Sequence, residues 1–484
     1  MNPSVKKNYI YHLLFEILKI ALPFITAPYV SRVLGADGLG IYSFTNSSMT
    51  YFILLAALGT SSYATREIAR HRDNRAEYSK LFWEIELLSV GTSAFSLLLW
   101  LGFIALSDNY RIYYLCFTPL LVSNMFDISW FFTGQEQVKY VVLRNLVCKI
   151  IGVVCLFVFI KEKSDLPLYI LINTLITLLG SISMWSYLPK MLDKVDFKTL
   201  SIKRHFRETL VYFVPSIATS IYTVLDKTLI GLITSDNYQS GYYEQATNIT
   251  NMIKPLVFTS VNSVMGARTS YLYAENHVKE IKQRLHVSLD FILFLAYGCT
   301  FGLIGVSHSF VLRFLGEEFM PVATMLSMMA PLIFIIGISN CIGSIYYTPS
   351  GNRALSSRFL IVGSVFNLVF NVLLIPRYGA YGAIISSTIA EGVITLLYVH
   401  FDDGMMTWSQ IAKISVKKVI AAAVMLGVIM ALEKVLPFTG YLKVFSEVIL
   451  GGSVYLLGLF ILRDELFMLL LKMAGDFLRK IFKK

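Results

Sequence analysis

The chain has 484 residues, of which 56% are hydrophobic and 15% charged, and its mean hydropathy is +0.63. Soluble domains carry about 25% charged residues, so this chain has too few to cover a water-facing surface of its size, and lipid must face much of it. The formal net charge of +11 does not point to nucleic acid, because Lys and Arg fall in short loops between long apolar runs.

Apolar runs of about 20 residues, each able to cross the ~30 Å hydrocarbon core, recur along the chain. They predict spans at 8–34, 38–60, 81–106, 111–133, 141–161, 166–189, 209–234 and 238–264. Further spans follow at 288–312, 320–348, 355–375, 380–401, 416–436 and 441–463. The expectation is an all-α integral membrane protein with about 14 transmembrane helices, since backbone polar groups in lipid need internal partners. The first run follows Lys6 and Lys7, contains Glu16 and Lys19, and lacks a small-x-small cleavage site, so it reads as a retained span. With the N-terminus inside, about thirty Lys and Arg fall on the cytoplasmic side and about seven outside, which places both termini in the cytoplasm.

Ionisable residues inside spans are costly, so each is a functional candidate. Span one carries Glu16, Lys19 and, near its outer end, Arg32, which could instead snorkel to the interface. Span four offers Ser123, Asn124 and Asp127. In span seven, adjacent Asp226 and Lys227 point about 100° apart and cannot face one partner. Span eight is the most informative: Glu244, Asn248, Asn251, Pro255 and Asn262 share a narrow arc, with Lys254 at its edge. Helix–helix hydrogen bonding would explain the amides, but a lysine near mid-span favours a helix lining an aqueous cavity. Ser364, Asn367 and Asn371 lie on one face of span eleven, and span twelve offers Ser387, Thr388 and Glu391. The tail, 464–484, spaces its apolar residues helically against a basic face, as an amphipathic helix on the cytoplasmic leaflet would.

Gly-x-Tyr occurs at 40–42 and again at 241–243, with Pro23 and Pro215 in the preceding spans, a faint trace of duplication at an offset of six helices. Catalytic signatures are missing: there is no phosphate loop, HExxH or paired-cysteine site, and the seven histidines are scattered. The five cysteines all sit in apolar stretches. The chain therefore reads as no enzyme, with no cofactor and no metal, and without a loop large enough to house catalytic groups.

Ser31-Arg-Val-Leu-Gly35 followed by Gly38-Leu-Gly-Ile-Tyr42 resembles the span-one to span-two signature of bacterial polysaccharide flippases of the Wzx type. These belong to the multidrug/oligosaccharidyl-lipid/polysaccharide exporter superfamily. Asp226 to Gly231, Gly241 to Ala246, Gly351-Asn-Arg and Ile375 to Ala383 resemble further segments, so the likeness extends to about residue 400. It implies two six-helix lobes around a central cavity that opens alternately to each side, with boundaries here at 1–208 and 209–402. Helices 13 and 14 (403–463) and the tail (464–484) would be additions. The implied substrate is an undecaprenyl-pyrophosphate-linked oligosaccharide repeat unit, moved from the inner to the outer leaflet of a bacterial plasma membrane. A polymerase and chain-length regulator of the same pathway are implied partners, beside membrane lipids. Within this reading Lys254, Arg32 and Lys227 would meet the pyrophosphate, with Asn248 and Asn251 bonding sugar. Asp226, Glu244, Glu391 and Asp127 would be cavity carboxylates, resetting the site with a coupling proton or sodium. Alternatives are a flippase for a peptidoglycan precursor (lipid II) and a cation-coupled multidrug exporter, the latter disfavoured by three cationic residues in spans. A membrane-embedded polymerase or glycosyltransferase would need a catalytic loop that the sequence lacks.

Overall fold

With no water in the hydrocarbon layer, a chain this apolar has to pair its backbone groups within each segment, and helices do this. The structure, a computed structural model, describes residues 3–275, 277–435 and 439–482, and within these the side chains of 3–21, 214–223, 259–271 and a few other positions lie outside the description. Glu16, Lys19, Pro215 and Asn262 are among those side chains. Described residues form helices and short connections, with no strand.

By internal contacts the chain divides into two units, Met1–Gly241 and Tyr242–Lys484. The first holds α1 (Pro3–Ala57), α2 (Thr60–Arg70), α3 (Arg75–Leu106), α4 (Arg111–Met125) and α5 (Ser129–Gly134). It continues with α6 (Val138–Phe159), α7 (Leu166–Met184), α8 (Ile202–Thr234) and the start of α9 (Asn237–Ala274). The second holds the rest of α9, then α10 (Val278–Phe314), α11 (Met320–Met329) and α12 (Leu332–Ile342) with a π turn at Gly343–Tyr347. After these come α13 (Arg353–Tyr378), α14 (Ala380–His400), α15 (Trp408–Val435), α16 (Tyr441–Ile461) and α17 (Glu465–Phe482). The division falls after α8, whereas the expected lobe boundary lies before it.

Ten helical stretches among the described residues are long and apolar enough to cross a membrane. An eleventh forms if the bent pair Glu317–Met329 and Leu332–Tyr347, at 43°, is one span. The expected count of about 14 is not reached on this criterion, and part of the reason is continuity. Leu22–Arg70 counts as one stretch where two spans are expected. The chain turns at Gly35, whose φ of 69° and ψ of 176° interrupt α1. A side chain there would cost on the order of 1–3 kcal/mol, because this combination of φ and ψ is essentially confined to glycine. The long helices α8 and α9 are not among the ten, and each includes a stretch whose side chains lie outside the description.

The glycines of the two Gly-x-Tyr motifs pack against one another's segments. A Cβ on Gly40 would lie 1.8 Å from the carbonyl oxygen of Asn237, and one on Gly241 would lie 2.1 Å from that of Ala36. Asn237 also donates to Asp37 Oδ1 (3.0 Å) and accepts from the Tyr110 hydroxyl (2.9 Å). The motif that suggested duplication is thus also a close backbone crossing that only glycine permits.

In the first unit a large aromatic core, including Phe82, Trp130 and Phe131, joins α2, α3 and α5. Beside it, fully buried Glu84 accepts from Ser201 N (2.7 Å), from His205 Nε2 (2.8 Å) and from Arg204. His205 Nδ1 in turn accepts from the Tyr63 hydroxyl (2.6 Å), and burial pushes its imidazole below the ordinary value. In the second unit Lys418, at the start of the expected span 416–436, is fully buried on α15. It bridges Asp290 of α10 (2.6 Å) and Asp464 (2.8 Å). Asp464 also accepts from Phe467 N, so one carboxylate both holds the lysine and caps α17. On α17 Leu469 and Met473 remain exposed, a face suited to lipid.

Candidate functional site

The first unit holds a cavity of about 390 Å³ between α1, α6 and α7. Helix α6 is very apolar and little of it is buried, so most of its surface faces outward. Two of its cations nevertheless turn toward the cavity: Arg144 and Lys149, with Asn145 between them. The residues at 144, 145, 148, 149 and 152 all line it, one face of a helix. Across from them α7 presents Asn173, Thr177 and Gly180 at the same kind of spacing. A Cβ on Gly180 would lie 2.6 Å from Cys148 Sγ, so the two helices close on each other at this point.

The Arg144 side chain is only 16% exposed. It donates to Asn145 Oδ1 (2.9 and 3.1 Å) and pairs with Asp127 Oδ1 at 3.3 Å. Asp127 sits in the turn between α4 and α5 and also accepts from Ser129 N (3.1 Å). Among the described residues the lining holds two cations and two amides and no carboxylate. Such a lining receives an anion by charge and adjacent hydroxyl or amide groups by hydrogen bonds.

The second unit holds a cavity of about 350 Å³ between α12, α13 and α14. Glu391 lines it beside Ser339, Asn340, Ser344 and Ser356. Lys254 on α9 interacts electrostatically with Glu391 and donates to Asn251 Oδ1 (3.3 Å). One turn earlier Asn248 donates to Glu244 Oε1 (3.3 Å), and Glu244 is buried. Three of the residues singled out from sequence, Lys254, Asn251 and Glu391, are therefore brought together in one unit.

The others are placed separately. Asp226 is buried on α8 and interacts with Tyr51, whose hydroxyl lies 3.0 Å from Thr228 Oγ1. Thr228 donates to Ser47 (3.1 Å), so this region stitches α8 to α1. Lys227, half-buried, lines neither cavity, and Arg32 is exposed on α1. Asn367 and Asn371 are fully buried: Asn371 donates to Asn367 (3.1 Å), and Asn367 donates to Ser387 (3.3 Å), joining α13 to α14. Asn124 donates to Ser93 (2.8 Å) in the same structural way.

Arg144 and Lys149 both fall inside the expected span 141–161 and are not among the residues that the sequence singles out. The helical-face test applied to span eight would have found them on span five.

The family model described as "Polysaccharide biosynthesis protein" matches residues 5–265, more than half of the chain. This chain belongs to that family. A relative from Escherichia coli (strain K12), named "Putative O-antigen transporter", is 23% identical over 405 residues, covering 82% of this chain and 96% of the relative. A Haloferax volcanii protein named "Probable low-salt glycan biosynthesis flippase Agl15" is 22% identical, covering 91% of this chain and 92% of its own. Among solved structures, "Lipid II flippase MurJ, inward closed conformation" superposes with a TM-score of 0.71 at 18% identity, over 94% of this chain and 99% of that one. An inward-facing multidrug resistance MATE family transporter gives a TM-score of 0.60 at 12% identity, covering 84% and 98%. These likenesses establish a multi-pass transporter fold, and the named relatives are transporters and flippases rather than enzymes.

Proposed function

We propose that this protein flips an undecaprenyl-pyrophosphate-linked oligosaccharide from the inner to the outer leaflet of a bacterial plasma membrane, by alternating access of two lobes. The carrying observation is the cavity of the first unit, where Arg144 and Lys149 stand beside Asn145 and Asn173, with no carboxylate among the described lining residues. A pyrophosphate bearing a sugar cannot cross hydrocarbon unaided, and paired cations beside amide and hydroxyl groups supply what water otherwise would. The names of the relatives support the same substrate class.

In this reading Arg144 and Lys149 take the anionic head, while Lys254, Asn248 and Asn251 form a second contact region in the other unit. Glu391, Glu244 and Asp226 are the carboxylates available to reset charge with a proton or sodium. Arg32 and Lys227 have a secondary role, since neither is among the described residues lining these two cavities. Both termini face the cytoplasm, and a polymerase and chain-length regulator act on the product.

The fold likeness to a lipid II flippase supports a second reading, transport of a peptidoglycan precursor with the same pyrophosphate head. One assay separates the two. Proteoliposomes containing the purified protein are loaded with either fluorescent lipid II or a fluorescent undecaprenyl-pyrophosphate oligosaccharide, and outward exposure is read by quenching. Faster exposure of the oligosaccharide is expected; exposure of lipid II alone would replace this assignment with the second, and exposure of neither would remove both.

A further inference from the structure

Two residues after Glu84, α3 carries a second acidic side chain in very different surroundings. Glu86 is 2% exposed, and among the described residues neither of its carboxylate oxygens has a hydrogen-bond partner. Successive positions two apart lie about 200° round a helix, so Glu84 and Glu86 face opposite ways. Glu84 spends its charge on His205, Arg204 and Ser201, and none of these reaches Glu86.

The groups around Glu86 can be taken element by element. From α1, the carbonyls of Phe52 and Ala56 accept from Ser96 and Thr92 of α3. On α2, Glu67 pairs with Arg70, and Arg66 donates to Tyr212. On α8, Arg204 and His205 are committed to Glu84. From the α4–α5 turn comes Asp127, whose charge acts on Glu86. Asp127 in turn pairs with Arg144.

A carboxylate in that position, ionised, would be a buried charge without a donor and beside a like charge. That arrangement is unfavourable by several kcal/mol, and a proton removes the cost. We propose that Glu86 is a proton-binding site of the first unit, beside the ion pair of Asp127 with Arg144. Proton binding forms an O–H bond on Glu86 with a proton drawn from the aqueous phase, and release returns it there.

Arg144 gives the site its link to the neighbouring cavity, because the same guanidinium that balances Asp127 lines that cavity. An anion that draws Arg144 away leaves Asp127 less compensated. Glu86 then holds its proton more tightly. Anion entry and proton uptake are thereby coupled through one side chain. The proton site rests on Glu86's own surroundings and not on the substrate assignment.

The test is infrared spectroscopy of the purified, detergent-solubilised full chain, following the carbonyl band of a protonated carboxylic acid across pH. The wild-type protein is expected to show a band that disappears at high pH, and Glu86→Gln is expected to lose it. Asp127→Asn, which removes the neighbouring negative charge, should move the midpoint to lower pH and serves if the first variant does not fold. Inorganic pyrophosphate should raise the midpoint in the wild type and leave it unmoved in Arg144→Gln. A band that survives Glu86→Gln, or one that never titrates, would overturn the proton site. A midpoint shifted equally by pyrophosphate in both proteins would overturn the link through Arg144.

Discussion

The two cavities differ in the sign of what they offer. The cavity of the first unit has Arg144 and Lys149 in its lining and keeps its acid, Asp127, behind the arginine. The cavity of the second unit has Glu391 in its lining, with its cation, Lys254, approaching from α9. Charges of the same kinds are thus arranged in opposite order, cation toward the void in one and carboxylate toward it in the other. The first arrangement suits capture of an anion, and the second suits a site that changes its own charge. A protein that must take up an anionic head group and later let it go benefits from having both.

Removing the two cations of the first cavity should break this contrast most severely. Arg144→Ala combined with Lys149→Ala is expected to weaken binding of inorganic pyrophosphate on the order of a hundredfold or more, measured by calorimetry on purified protein, and to abolish flipping. Unaltered affinity would relocate the anion site. Next in size is Lys254→Ala, which leaves Glu391 without its cation; complementation of a flippase-deficient strain should fail while membrane levels hold. Pairing it with Glu391→Gln should recover part of the activity, because the uncompensated charge is gone, and full activity in the single variant would take Lys254 out of the mechanism. Glu391→Gln alone sharpens the comparison: the transport rate should lose its dependence on pH or on sodium, and an identical profile would reduce Glu391 to a packing role. The smallest effect is expected from Arg32→Ala, within a few-fold of wild type in the same assay, since this exposed arginine lines neither void. A large loss there would restore it to the site.

The fold was legible because apolar runs of spanning length and loop cations are properties of local sequence. Continuity was harder to read: the Gly35 junction looks like a loop from composition, yet the backbone stays helical on both sides of it. Burial cost identified Lys254 and Glu391 one at a time, but a pairing across 137 positions needs tertiary structure. Arg144 and Lys418 are not singled out by sequence for a common reason. Each lies near the end of an apolar run, where hydropathy alone cannot tell a cation in headgroup water from one turned inward against a carboxylate. Glu84 and Glu86 escaped notice similarly, and their hydrogen-bond partners among the described residues, three for one and none for the other, separate a structural acid from the proposed proton site.

The crossing of Gly40 and Gly241 has a mechanical corollary. At the two glycines the contact is main chain against main chain, so no rotamer change at Gly40 or Gly241 can ease the approach. Such a seam tolerates two conditions, shut or separated, with little in between. Even one added methyl group would act as a permanent wedge, which makes alanine at residue 40 a tool for holding the molecule in whatever shape it takes when that seam is parted.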